Sequence, residues 1–294
     1  MTIPRIATYP MPEAAALPSN RVDWLPDPKR AVLLIHDMQQ YFLDFYDASA
    51  APVPTLIAHI RQLRDACDAA GVPVVYTAQP VDQPPAHRGL LNDWWGPGIT
   101  AKPELYPIVA PLAPRSSDTV LDKWRYSAFA KSDLLHRLQT QGRDQLIVCG
   151  IYAHIGVMMT VAEAFMNDIQ PFLVGDAVAD FSAEEHAMAL SYVSRRCGVV
   201  LPTAGVVSAL QPKAAAAEIP ASLDALRTEV AKVLQVPASD LHVDDNLLDY
   251  GLDSIRLMSL AERWQRAGVT LEFVALAEQP TLAQWWALLS AQAR

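Results

Sequence analysis

Three short segments of this 294-residue chain bring together side chains able to move protons or hold anions. Ile35-His36-Asp37-Met38-Gln39 closes an apolar run with a carboxyl group, and Val120-Leu121-Asp122-Lys123-Trp124 brings a lysine to the end of a second strand. Gly150-Ile151-Tyr152-Ala153-His154-Ile155-Gly156 follows a third apolar run and opens a helix. A carboxyl group can act as a general acid with an amine beside it to orient it or to pair with substrate oxygens. To donate a proton near neutral pH the carboxyl must be held protonated, which burial favours and a close lysine opposes. Arg88 offers the forked donor set that suits a carboxylate. Far downstream, in Asp249-Tyr250-Gly251-Leu252-Asp253-Ser254-Ile255-Arg256, a serine stands at a helix start. Unpaired backbone N–H groups there suit a phosphodiester anion, although an ordinary N-cap is the commonest role of serine at such a position.

Other chemistries find little support. Cys67, Cys149 and Cys197 are odd in number, far apart and without C-x-x-C spacing, which argues for a reducing cytoplasm and against a disulfide framework or zinc ribbon. Cys149 lies inside an apolar strand, where a thiol is usually an inert small hydrophobe. The seven histidines show no pairing for a catalytic metal, and none is expected. For His36 and His154, structural hydrogen bonding is the simpler reading.

The elements that must position these groups alternate through the first two thirds of the chain. Ala31–Ile35, Val72–Tyr76, Gln145–Cys149, Pro171–Val174 and Val199–Leu201 read as strands buried on both faces. Leu56, Ile60, Leu63 and Cys67, and then Leu134, Leu135 and Leu138, recur at helical spacing. Strand, helix, strand repeated in this way implies an α/β fold, a three-layer parallel sheet with helices on both faces and its sites beyond the carboxyl ends of the strands. The pattern stops near Ala204. A Pro-bounded, alanine-rich stretch follows, and then an all-helical module with Ser222 as a cap, a long acidic loop, a helix from Ser254, a turn near Phe273 and a last helix from Thr281. The expected division is a catalytic domain over 1–208, a linker over 209–220 and a small four-helix bundle over 221–294.

Charge narrows the partners. Lys and Arg number 23 against 32 Asp and Glu, a net −9 that disfavours nucleic acid and anionic lipid. No run of 18 apolar residues suggests a membrane span, and Met1-Thr2-Ile3-Pro4-Arg5 does not resemble a secretory signal, so a soluble cytoplasmic protein is expected. Residues 221–294 hold ten acids and six bases, hence −4 of the −9. Five of those acids fall between Asp240 and Asp253 with no Lys or Arg among them, which points to a basic partner.

Residues 15–205 resemble the isochorismatase-like, or cysteine hydrolase, superfamily. In its amidase branches the third segment supplies a nucleophilic cysteine activated by the Asp and Lys; the matching position here is Gly156. Without a thiolate there is no thioacyl intermediate. Tyr152-Ala153-His154-Ile155-Gly156 is instead similar to the true isochorismatase branch, which cleaves the enolpyruvyl ether of isochorismate. That resemblance implies Asp37 as proton donor, Lys123 as its partner, Gly156 as the third catalytic position, and substrate contacts from Gln79 and Arg88. Phe42, Trp94, Trp95, Tyr126 and Tyr152 are candidates for apolar walls, with core packing as the competing role.

The C-terminal module resembles acyl, peptidyl and aryl carrier proteins through its G-x-D-S-[LI] motif at Gly251–Ile255, preceded by Asp244-Asp245-Asn246-Leu247 and followed by Pro280-Thr281-Leu282. The resemblance implies a covalent 4'-phosphopantetheine on Ser254, with Asp253 helping to bind the metal-bearing modifying enzyme. Together the two modules imply a bifunctional isochorismatase and aryl carrier protein of catechol siderophore assembly. The implied partners are isochorismate, a phosphopantetheinyl transferase, a 2,3-dihydroxybenzoate-adenylating ligase and the condensation domain of a nonribosomal peptide synthetase, with a homodimer through the catalytic domain. Two other readings stay open: an inactive N-terminal scaffold that only positions the carrier, and a hydrolase of an amino analogue, as in phenazine pathways.

Overall fold

The computed structural model describes residues 3–211, 219–270 and 273–292. β1 (Ala31–His36), β2 (Val74–Ala78), β3 (Thr119–Asp122), β4 (Gln145–Ile151), β5 (Gln170–Ala179) and β6 (Val199–Leu201) form one all-parallel sheet in the order β3-β2-β1-β4-β5-β6. Every residue of β1 and β4 is buried, as continuous apolar runs demand. The period of two then divides β1 between two cores. Ala31, Leu33 and Ile35 pack with Leu56, Ile60 and Leu63 of helix Val53–Ala70 and with Val206 and Leu210 of helix Thr203–Leu210. Val32 and Leu34 face the other way, onto helices Leu134–Thr140, Met158–Met166 and Ala183–Arg196. The sheet is thus the middle of three layers, as expected.

Of the five expected strands only β6 keeps its boundaries: β1, β4 and β5 run on to His36, Ile151 and Ala179, β5 also starting one residue earlier. β2 begins at Val74 rather than Val72 because Pro73 has no N–H to donate to the ladder. β3 is an edge strand in which only Leu121 is buried, so no continuous apolar run marks it. From β1 the chain steps outward to β2 and β3, then returns to the opposite side of β1 as β4. Such a reversal leaves a crevice beyond the carboxyl ends of β1 and β4.

The second unit contains helices Leu223–Leu234, Ser254–Arg266, Phe273–Glu278 and Leu282–Gln292. Leu226, Val230, Leu247, Leu260, Leu276 and Leu289 surround Trp264 and Trp285, whose rings meet edge to face at 5.8 Å. The turn expected near Phe273 is a short helix. Ser222 Oγ accepts from the N–H of Ala225, and Asp253 Oδ1 accepts from the N–H of Arg256 at 2.8 Å, so each helix start is capped by the residue before it.

The chain divides into two units, 1–211 and 212–294. Ala209 and Leu210 close helix Thr203–Leu210, with Leu210 buried, and Gln211 follows them in the first unit, so the first three residues of the expected linker belong to that unit. The linker itself falls largely on residues 212–218, outside the described residues. Among the described residues no helix is long and apolar enough to cross a membrane. Leu33 is fully buried in the central strand. Its replacement, Leu33→Ala, should lower the unfolding free energy of the first unit by about 2–5 kcal/mol in urea denaturation.

Candidate active site

Asp37 is the first residue beyond β1. Its φ of +50° lies in the left-handed region, unusual outside glycine, and turns the carboxyl across the end of the sheet. Neighbouring strands hold it there. Thr77 of β2 accepts from the Asp37 N–H at 3.1 Å and donates its hydroxyl to Oδ1 at 2.7 Å. Lys123, just beyond β3, prolongs the ladder by donating its N–H to the Ala78 carbonyl and sets Nζ 2.8 Å from Asp37 Oδ2. Both side chains are buried, so three adjacent strands converge on one desolvated ion pair. Gly156 enters from the other side, in the helical turn Ala153–Val157 that joins β4 to helix Met158–Met166.

These groups line one cavity at the crevice between β1 and β4. Phe42, Gln79, Arg88, Trp95, Tyr126 and Tyr152 line it as well. The Tyr152 hydroxyl donates to the Phe42 carbonyl at 2.6 Å, and Trp95 Nε1 donates to the Tyr126 hydroxyl at 2.8 Å, so the aromatic walls are pinned by their polar ends. Gln79 is clamped through its backbone by Gln39, which accepts its N–H and donates to its carbonyl. Trp94 is a correction. It is 61% exposed and lines an adjoining outer groove with Leu90, Met159 and Met166 rather than the cavity itself. On the short helix Leu91–Trp95, consecutive residues point about 100° apart, and only Trp95 can face inward.

Arg88 is 3% exposed and donates only to neutral acceptors, the Gly96 carbonyl at 2.7 Å and Gln83 Oε1 at 2.6 Å. Burial lowers its hold on the proton, and among the described residues no carboxylate lies within ion-pair distance of it. A buried guanidinium without a counter-ion is suited to an anionic ligand. Arg125, which sequence reasoning passed over, lines the same cavity and likewise donates to carbonyls, those of His87 and Trp124. Its position two residues after Lys123 was the available signal. Phe181 and His36 were also missed as wall residues; Phe181 follows β5 and meets the Tyr152 ring at 4.6 Å.

No cysteine approaches this chemistry. All three are free and buried; burial pushes the Cys67 thiol up to about 12 and holds that of Cys149 well above its usual range. His154, Asp180 and Glu185 bring a possible metal-ligand set together, but Asp180 is already engaged. Its oxygens accept from the His154 N–H, His154 Nδ1 and the Phe181 N–H at 2.5–2.9 Å. His154 is thus held by structural hydrogen bonds, and His36 by one between its Nδ1 and the Ile151 carbonyl.

In the second unit Ser254 is exposed at the first position of its helix, while Asp253 supplies the cap. Leu252 and Leu257 are buried on either side, so the core fixes the loop-to-helix junction and leaves the hydroxyl outside. The donor set fits a phosphodiester: a free-standing hydroxyl beside helix-start N–H groups.

The first unit is thus a parallel α/β domain whose buried Asp–Lys pair shares one cavity with Gly156 at the reversal of strand order. Residues 31–205 match the isochorismatase domain family, and the chain belongs to it. Residues 224–289 match the phosphopantetheine attachment site family. The chain is 48% identical to an isochorismatase of Bacillus subtilis, with 100% of this chain and 97% of the relative covered. It is 48% identical to enterobactin synthase component B of Escherichia coli, with both chains covered in full. Among solved structures, a cysteine hydrolase from Pseudomonas syringae aligns with a TM-score of 0.60 and 25% identity, over 66% of this chain and 97% of the other.

Burial works against the charged form of His154, but the hydrogen bond and charge of Asp180 outweigh it and raise the imidazole above its ordinary value of 6.5. The stabilisation from this pair is therefore full below about pH 6.5 and is lost as pH rises through the raised value. Thermal melts between pH 5.5 and 8.5 should show that decline, and His154→Gln should flatten it.

Proposed function

We propose that the first unit hydrolyses the enolpyruvyl ether of isochorismate to pyruvate and 2,3-dihydro-2,3-dihydroxybenzoate. The second unit, in this reading, carries an activated 2,3-dihydroxybenzoyl group on a 4'-phosphopantetheine at Ser254. The observation that supports the first part most directly is the buried Asp37–Lys123 pair facing a cavity in which residue 156 has no side chain. A vinyl ether needs a proton on its terminal carbon and then a water, and no protein nucleophile.

Asp37 gives its proton to the methylene carbon, which becomes the methyl group of pyruvate. Water adds to the resulting oxocarbenium carbon and loses a proton, returning Asp37 to its acid form. The hemiketal collapses: its hydroxyl becomes the ketone of pyruvate, the bond from that carbon to the ring oxygen breaks, and the proton the hydroxyl gives up passes to the ring oxygen, which leaves as a hydroxyl. The substrate is a dicarboxylate; Arg88 and Arg125 supply cations for it. Lys123 orients the carboxyl and pairs with substrate oxygens. The walls of Phe42, Trp95, Tyr126 and Tyr152 exclude bulk water, and the sequence requires no catalytic metal.

Phosphopantetheine supplies a thiol that holds an acyl group as a thioester. The chain's own contribution is an exposed serine on a capped helix with an acidic approach. A phosphopantetheinyl transferase, an adenylating ligase and a condensation domain are the partners this demands, and at least one should present a basic face to Asp240–Asp253. A cytoplasmic homodimer associating through the first unit completes the reading.

Asp37→Asn should abolish pyruvate release, a loss of about 100-fold or more, while calorimetry still detects binding of isochorismate; full activity would remove Asp37 as the acid. Arg125→Ala should raise KM more than it lowers kcat, since it removes a binding cation. Intact-mass measurement with a competent transferase should show one phosphopantetheine increment on the parent chain and none on Ser254→Ala. Absence of the increment on the parent would overturn the carrier reading.

A further inference from the structure

His36, the last residue of β1, is fully buried between Gly150 near the end of β4 and Gly156 in the turn that follows it. It pairs with Gly150 across the sheet. A Cβ on Gly150 would collide with the His36 carbonyl oxygen, with the His36 nitrogen 2.8 Å away, and Gly150 also has a φ of +107°. Gly156 is constrained by the ring. A Cβ there would fall onto His36 Cε1, with Nε2 at 2.9 Å and the Tyr126 carbonyl oxygen at 3.1 Å. Between the glycines, the Ile151 carbonyl accepts from His36 Nδ1 at 2.8 Å. Burial pushes the imidazole down to about 4, so the ring is neutral and its proton sits on Nδ1, because a carbonyl can only accept. Its plane is thereby anchored at one edge and presses its other edge toward residue 156.

We propose that His36 is the steric determinant of the reaction class at this site. Its ring occupies the volume that a side chain at position 156 would need, so only glycine can stand there. A protein nucleophile is shut out and water must reach the electrophile instead. His36 acts through its neighbours as a positioning residue: it lines the cavity, and its Nδ1 lies 3.7 Å from Asp37 Oδ2. The catalytic half of this inference rests on the ether-hydrolase reading given above; the packing half does not.

A double-mutant cycle at positions 36 and 156 tests both halves. Gly156→Ala should lower Tm by roughly 5–10 °C, the effect of overpacking in a unit of this size, and should lower pyruvate release at least about tenfold. His36→Asn keeps a donor for the Ile151 carbonyl while vacating the outer edge of the ring. Combined with Gly156→Ala it should restore at least half of the lost Tm and part of the lost rate, a coupling absent between independent sites. If Gly156→Ala does not fold, recovery of a folded double variant supports the proposal, and failure of the double variant to fold overturns it. It is equally overturned if Gly156→Ala melts with the parent, or if the two losses simply add. Should the parent chain release no pyruvate, the proposed reaction fails, while the coupling in Tm still reports on the wedge.

Discussion

Taking a carboxylate and an ammonium out of water costs several kcal/mol for each ion, a cost that their mutual attraction offsets only when the geometry is good and the remaining valences are met. The Asp37–Lys123 pair meets that condition through three parallel strands acting together. β1 delivers the carboxyl, Thr77 on β2 holds its second oxygen, and the end of β3 delivers the ammonium within 2.8 Å. A slip of one residue in β1 or β3 would reverse the facing of its side chains and leave a buried charge alone, and one in β2 would withdraw the Thr77 hydroxyl. The register of the sheet and the acid–base pair are therefore one constraint: the sheet can hold the pair only in this register.

The rest of the cavity follows from placing that pair at the reversal of strand order. Beyond β4 the chain must turn immediately into a helix, which brings Tyr152 and Gly156 over the crevice from the side opposite Lys123. Beyond β2 the chain contributes Gln79 and then the short helices that bring Arg88 and Trp95 inward. One anion, Asp37, thus shares the cavity with three cationic side chains, of which only Lys123 forms an ion pair with it. The local excess of positive charge runs against the net −9 of the chain and is concentrated where a dianion would sit.

Much of this was legible in the sequence because the chemistry sits at the ends of the strongest signals. Asp37 closes a wholly apolar strand, and Gly156 lies just past another. Lys123 was legible despite an edge strand half open to water. The aromatic pair at 94–95 was not separable, since which neighbour faces inward depends on how a five-residue helix is rotated, and no periodicity survives over so short a stretch. Arg125 was hidden because an exposed loop arginine and a cavity arginine look alike in sequence. His36 was legible only as a histidine with a structural hydrogen bond: its closeness to residue 156, 120 positions away in the chain, arises from the pairing of β1 with β4. The first two residues assigned to the linker went to a helix because Leu210 completes the apolar face that Val206 begins.

At the start of the helix that bears Ser254, the oxygen that satisfies the backbone belongs to Asp253. A serine that capped its own helix would have to surrender that bond on being esterified, and each change of cargo would loosen the scaffold. Here the anchoring duty and the point of attachment rest on adjacent residues. Unmodified, empty and loaded forms can then share one backbone, and any partner that tells them apart must read the cargo itself.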